Sequence, residues 1–292
     1  MSNHRKGLYL VLNRKLLLSV LAIAGLWGSG LPANGQALLP YVLPLDQDRL
    51  EAQGLFWAQE AARLAQFQQY QEALAQAQLA AQLAPNEAPV WGLLGSLYLQ
   101  LDDLDEAITA LQRAQQLEGD NSAVLFALGT AHLRKQQYSE AVRYLESGLQ
   151  LEPDNPGARF DLGNTYFQLG RFEQAIAQYE ASVELDPEFW PSVNNIGLVL
   201  YEQGDRQAAI AKWDASLDIS PEEPEPQLAI AVAKYALGQR QEAIALGIAA
   251  LERDSRYADR DFLIQNLWGQ ALMVDTDTFF AVPAVQAILV QL

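Results

Sequence analysis

The chain has 292 residues, half of them hydrophobic, and no cysteine. That composition excludes a disulfide framework, a thiol nucleophile and a thiolate metal site. The formal charge of −17 repels nucleic acid and anionic lipid and favours cationic partners.

The first 15 residues are basic and polar, with a short apolar interruption at 8–12. An apolar run follows, Leu16–Trp27, broken by Gly28, Gly30 and Pro32. Small residues come next, among them Gly35 and Ala37. This order of charge, apolar core and small residues is that of a secretory signal peptide over residues 1–37. The apolar run is shorter than the roughly 20 residues a membrane span needs. An uncleaved anchor over residues 8–31 is the alternative, and it would hold Asn13, Arg14 and Lys15 inside the span. Each charge at the centre of a span costs about 2.5–3.5 kcal/mol, so cleavage after Ala37 is the expectation. The remainder is then exported, to a periplasm or, in a cyanobacterial cell, a thylakoid lumen. Membrane association arises only if the leader stays. Residues 1–37 hold Arg5, Lys6, Arg14 and Lys15 and no acid, so 15 basic residues face 36 acidic ones in the remainder, a balance of −21.

Residues 38–53 form a lead-in with Pro40 and Pro44, and a helix is expected to start near Asp46. From residue 54 a pattern recurs every 34 residues: 54–87, 88–121, 122–155, 156–189, 190–223 and 224–257. The unit 156–189 shows it most clearly. Asn155 is placed to cap a helix with Pro156 at its first position. Phe160, Leu162, Tyr166, Phe167 and Leu169 share one face. Gly163 permits close approach of a second helix, and Gly170 ends the first. The second helix carries Phe172, Ala175, Ile176, Tyr179 and Val183 until Pro187 stops it. The eighth position of successive units is Ala61, Gly95, Gly129, Gly163, Gly197 and Ala231. The twentieth is alanine in all six: Ala73, Ala107, Ala141, Ala175, Ala209 and Ala243. After Tyr257 the period fades. A helix over Phe262–Met273 and another from about Phe279 to Leu292 are expected, and together 258–292 reads as a C-terminal cap.

The 34-residue pattern resembles the tetratricopeptide repeat. The resemblance implies an all-α right-handed superhelical solenoid of six helix pairs with a helical cap. It also implies that the first helix of each pair lines a concave face. On that face it places Phe126, Thr130, Leu133 and Arg134, then Phe160, Asn164, Phe167 and Gln168. Asn194, Asn195, Leu198, Tyr201 and Glu202 follow, then Leu228, Val232 and Tyr235. Asn164 and Asn195 match the asparagine pair that peptide-binding members use on a peptide backbone, an amide being both donor and acceptor. Phe160, Glu225 and Ala229 stand where the family's carboxylate clamp needs lysine or arginine, which argues against capture of an acidic C-terminal tail. The implied function is a non-catalytic scaffold or assembly factor that holds an extended segment of another protein. Exported bacterial members often serve envelope or photosynthetic-complex assembly.

Other constellations are weak. His132 is the one histidine after residue 37 and reads as a packed core residue. The chain has no Gly-rich phosphate loop and no GxSxG elbow. The acidic clusters at 102–106, 222–225 and 254–261 lack calcium-loop spacing and read as solvated turns and helix starts. No cofactor or metal is expected. Two other function classes stay open: a glycan-processing enzyme needing two convergent carboxylates, and a self-associating structural module. N-terminal sequencing of the exported protein should begin near Leu38; Met1 or Ser2 on membrane-bound protein would establish the anchor.

Overall fold

The computed structural model describes residues 46–292; the expected leader and the start of the lead-in lie outside them. Among the described residues there are fifteen α-helices, one 3-10 turn and no strand. Twelve helices form six pairs: α1 (Gln47–Gln66) with α2 (Tyr70–Leu83), α3 (Ala88–Gln100) with α4 (Leu104–Leu117), α5 (Ser122–Arg134) with α6 (Tyr138–Leu151), α7 (Pro156–Gln168) with α8 (Phe172–Leu185), α9 (Trp190–Glu202) with α10 (Arg206–Ile219), and α11 (Pro224–Ala236) with α12 (Arg240–Arg253). Each helix packs chiefly on its pair partner, and each second helix then packs on the first helix of the next pair. The result is an all-α solenoid.

Local chemistry fixes where each helix begins and ends. Asn121 and Asn155 accept the backbone N–H groups of Val124 and Ala158 at 3.2 and 2.9 Å, capping α5 and α7. Such caps are worth about 1 kcal/mol. Every pair turns through one left-handed residue at the fifteenth position: Gln68, Asp102, Gln136, Gly170, Gly204 and Gly238. The next N–H reaches back five residues into the first helix, as Arg171 N does to the Tyr166 carbonyl and Asp103 N to that of Tyr98, both at 2.9 Å. Glycine marks this turn in the last three repeats only. In the first three, Gln and Asp adopt it against a cost of roughly 1–2 kcal/mol, offset by the carbonyls the turn satisfies.

Within each pair the helices approach through complementary volumes. A Cβ added to Gly95, Gly129 or Gly163 would lie 2.5 Å from Leu111, Leu145 or Tyr179, and one on Gly197 would lie 2.4 Å from Trp213. These large residues all stand at the twenty-fourth position. In repeat one both positions are alanine, Ala61 and Ala77, and both are fully buried. Repeat six has Ala231 and Gly247 and lacks a large residue of its own. Phe279 from the C-terminal segment fills the gap: it is fully buried, its ring 2.4 Å from where a Gly247 Cβ would stand.

The C-terminal segment departs from the sequence expectation. After a 3-10 turn (Ser255–Ala258) come α13 (Arg260–Gln265), α14 (Gln270–Phe280) and α15 (Pro283–Leu289). The expected helix over 262–273 breaks at 266–269, where Leu267 takes φ +66°. Gly269 there passes so close to Glu202 that a Cβ would meet its carboxyl carbon at 2.3 Å. The expected helix from 279 is likewise divided: Pro283 starts α15, which is bent 92° from α14. Both corrections share one cause, since α14 lies across α9 and α11 while α15 packs on α12. Among the described residues no single helix is long and apolar enough to cross a membrane.

Phe279→Ala should cost about 3–5 kcal/mol through the cavity it leaves. Gly247→Leu alone should destabilise by overpacking, whereas the double variant should recover part of the loss. Additive losses in denaturant titrations would show that the two residues do not share one space.

Candidate functional site

Successive first helices touch one another across repeats, which puts them on the inner face of the solenoid. A ladder of polar contacts crosses that face, joining the ninth residue of one repeat to the sixth of the next. Thr130 Oγ1 donates to Asp161 Oδ2 at 2.5 Å. Asn195 Nδ2 donates to Asn164 Oδ1 at 2.9 Å. Asn164 Oδ1 also accepts from the Tyr179 hydroxyl at 2.8 Å, and Asn194 Nδ2 donates to Asn195 Oδ1 at 3.1 Å. Burial pushes the Asp161 carboxyl up, while Thr130 and the nearby Arg134 pull it back. Burial also raises the Tyr179 hydroxyl, which keeps it a donor to Asn164.

These contacts change the meaning of the asparagines. Asn164, Asn195 and Asn194 are 9%, 6% and 1% exposed. The amides expected to meet a peptide backbone are spent mainly on each other and on Tyr179. Only Asn164 Nδ2 donates to none of the described residues. The aromatic candidates are also committed to packing. Phe126 covers Gly148, and Phe160 packs on Tyr179 and Phe189 at 5.9 and 5.3 Å between ring centres. Phe167 is buried beside Phe172. His132 stacks on Tyr144 and donates Nδ1–H to Gln137.

Over repeats five and six the inner face is closed. Leu198 and Tyr201 are each 1% exposed, and Leu228 and Val232 are fully buried. The cover is the C-terminal segment. Tyr201 donates its hydroxyl to Asp275 Oδ2 at 2.6 Å, and Arg206 reaches the same oxygen at 2.8 Å. Glu202 accepts the N–H groups of Ala271 and Leu272 at 3.0 and 3.1 Å, setting a carboxylate on the positive end of α14. Tyr235 meets Phe279 edge to face, and Trp268 donates to Glu225 at 3.2 Å. This corrects the expectation that Leu198, Tyr201 and Tyr235 line an open groove. Asp275, Glu225, Trp268 and Phe279 carry the closure, and the sequence reading did not single them out for it. The available signal was Gly247, which leaves the repeat without its large residue.

The inner face remains open on α3, α5 and α7, at Ser96, Leu99, Thr130, Leu133, Arg134 and Gln168. Arg134 extends over the rim, donating to the Leu99 carbonyl at 3.0 Å and lying 3.8 Å from Asp102. Exposed pairs of this kind contribute little to stability.

A family model described as the cytochrome c-type biogenesis protein H TPR domain matches residues 68–191, and a second tetratricopeptide-repeat model matches 160–224. The chain belongs to the tetratricopeptide-repeat family. Solved tetratricopeptide-repeat structures show the same architecture. YrrB, titled a TPR protein with an unusual peptide-binding site, superposes with a TM-score of 0.51 at 24% identity, over 58% of this chain and 88% of its own. MamA from Desulfovibrio magneticus RS-1 gives 0.54 at 20%, over 57% and 95%. A chain of the APC/C hetero-tetramer Cut9–Hcn1 gives 0.61 at 18%, over 76% and 46%. At these identities the likeness is one of fold. No curated protein matches the chain.

Asn164→Ala strands the Tyr179 hydroxyl and Asn195 Nδ2 in a buried site. It should cost about 1–3 kcal/mol of fold stability, read as a lower denaturation midpoint in urea. An unchanged midpoint would show that the amide network is slack.

Proposed function

We propose that this tetratricopeptide-repeat protein is a non-catalytic scaffold that holds an uncharged or apolar segment of another protein along the open inner face of repeats two to four. Family membership and the repeat fold support an interaction module. The observation that carries the finer reading is the charge of the open stripe. At the inner-face positions of repeats one to three the sequence has no carboxylate and one cation, Arg134, in a chain with 36 acids. Among those of repeat four, Asp161 is the acid, and it is tied down by Thr130. A strip of Ser96, Leu99, Thr130 and Leu133 demands little desolvation from an incoming apolar segment. Arg134 and the free donor of Asn164 offer polar fixed points within it. The net negative charge of the chain favours approach of a partner carrying basic residues beside that segment.

We also propose that the protein acts after export and serves assembly of a larger complex, a role that the leader-like sequence of residues 1–37 supports.

The test is site-directed photocrosslinking in native host cells, with the crosslinking residue at Ser96 or Leu133 on the inner face and at Gln112 or Glu140 on the second helices. A discrete adduct from the inner positions alone, lost by about tenfold or more in Ser96→Glu with an unchanged melting temperature, is the expected result. Adducts confined to the second-helix positions would move the binding surface to the outer face.

A further inference from the structure

Glu225 is buried beneath the C-terminal segment at 6% exposure. It stands near the start of α11, where Trp268 donates its indole N–H to Oε1 at 3.2 Å. Among the described residues no cation lies within ion-pair distance of it. Burial is the strongest influence on its carboxyl and raises it to about 7, with Glu223 adding repulsion; Asn194, Trp268 and Tyr257 act in the opposite direction. Asn194 adjoins it from α9, and Asn194 Oδ1 is buried with no donor among the described residues. A carboxylate can offer that oxygen nothing, whereas a protonated carboxyl carries an O–H.

The other charged groups around this pocket have partners of their own. Tyr257 comes from the 3-10 turn, flanked by Asp254 and Arg256, which pair with each other at 2.6 Å. From α9, Glu202 is spent on the start of α14, and from α14, Asp275 is matched by Arg206. The pocket therefore holds one enclosed carboxyl that has the Trp268 indole but no cation beside it, and, on the adjoining Asn194, one enclosed acceptor without a donor among the described residues. Both are roofed by a segment that is itself the lid of repeats five and six.

We propose that residues 259–282 form a strap over the inner face of repeats five and six, and that seating the strap takes up one proton at Glu225. Lifting it returns the carboxyl to water and uncovers Leu198, Tyr201 and Val232. The direction follows from linkage. The exposed carboxyl titrates near 4.5 and the seated one near 7. Seating is strongest at and below pH 4.5, weakens as pH rises to 7, and is level above that. The full span is about 300-fold in the seating equilibrium. If the groove binds a protein segment as proposed above, lifting the strap extends the available face by two repeats; the proton linkage itself does not depend on that reading.

The experiment is amide hydrogen exchange on the full chain at pH 5 and pH 8, corrected for intrinsic exchange rates, without added partner. In the parent, protection of residues 270–280 should fall by roughly 70-fold between the two pH values, relative to α5–α8. In Glu225→Gln, whose amide mimics the protonated carboxyl, protection should be the same at both. Thiol labelling of Met273→Cys in this cysteine-free chain, corrected for thiolate content, gives an independent reading that leaves residue 225 intact and should show the same fall. A parent strap whose protection does not change, or the same fall in Glu225→Gln, would overturn the proposal. Failure of inner-face crosslinking with an intact pH response would count against the groove reading alone.

Discussion

The approach of two helices through matched volumes is the constraint on which this structure depends. Glycine at the eighth position of a repeat lets the ring or branched chain at the twenty-fourth lie against bare backbone. With little room to relax, interiors of this density make each such pair specific. The pairs Gly163–Tyr179 and Gly197–Trp213 meet at contacts where no Cβ would fit. Repeat one solves the same problem with two alanines, at smaller volume. Repeat six does not solve it alone. With Gly247 opposite Ala231, a gap is left that only a residue from outside the repeat can fill. Phe279 fills it, and the chain on either side of Phe279 has to follow.

That one borrowed ring determines the shape of the inner face. Drawing Phe279 against Gly247 lays α14 across α9 and α11. It brings Asp275 to Tyr201 and Arg206, and the first turn of α14 to Glu202. The face is thus divided into a closed end at repeats five and six and an open stripe ahead of it. The break at 266–269 and the bend before Pro283 are consequences of the same docking. A helix continuing from 262 would carry the segment away from the groove.

Polar groups on the inner face have two destinies. Those with a partner one repeat away are drawn into the ladder, as Thr130 is to Asp161 and Asn195 to Asn164. Burying such groups is tolerable because each finds a hydrogen bond, and removing one partner exposes the full desolvation cost of the other. Those without such a partner, such as Ser96 and Arg134, remain accessible. The ladder thus holds neighbouring repeats in register while subtracting amides from the surface available to a ligand. Glu225 belongs to neither group: it is enclosed without an ion-pair partner among the described residues, and under the strap proposal it couples the closed end to proton activity.

The sequence by itself determined the period, the six pairs and their register. Those properties rest on contacts within 34 residues, and the residues that make them, Gly163 and Ala175 among them, recur at fixed intervals. It also determined the scarcity of carboxylates along the open stripe, since charge at a repeat position is read directly. The left-handed turns at Gln68, Asp102 and Gln136 were hidden, because those residues are common outside turns and only the helix geometry forces φ positive there. Tertiary structure alone decided that Asn164 and Asn195 pair with each other, and that Tyr201 and Leu198 lie under the chain's own C-terminus. The physical reason is distance along the chain. Asp275 lies 74 residues after Tyr201 in a segment with no period, and no local pattern links them. The volume missing at Gly247 does, and it takes effect only once the helices are packed.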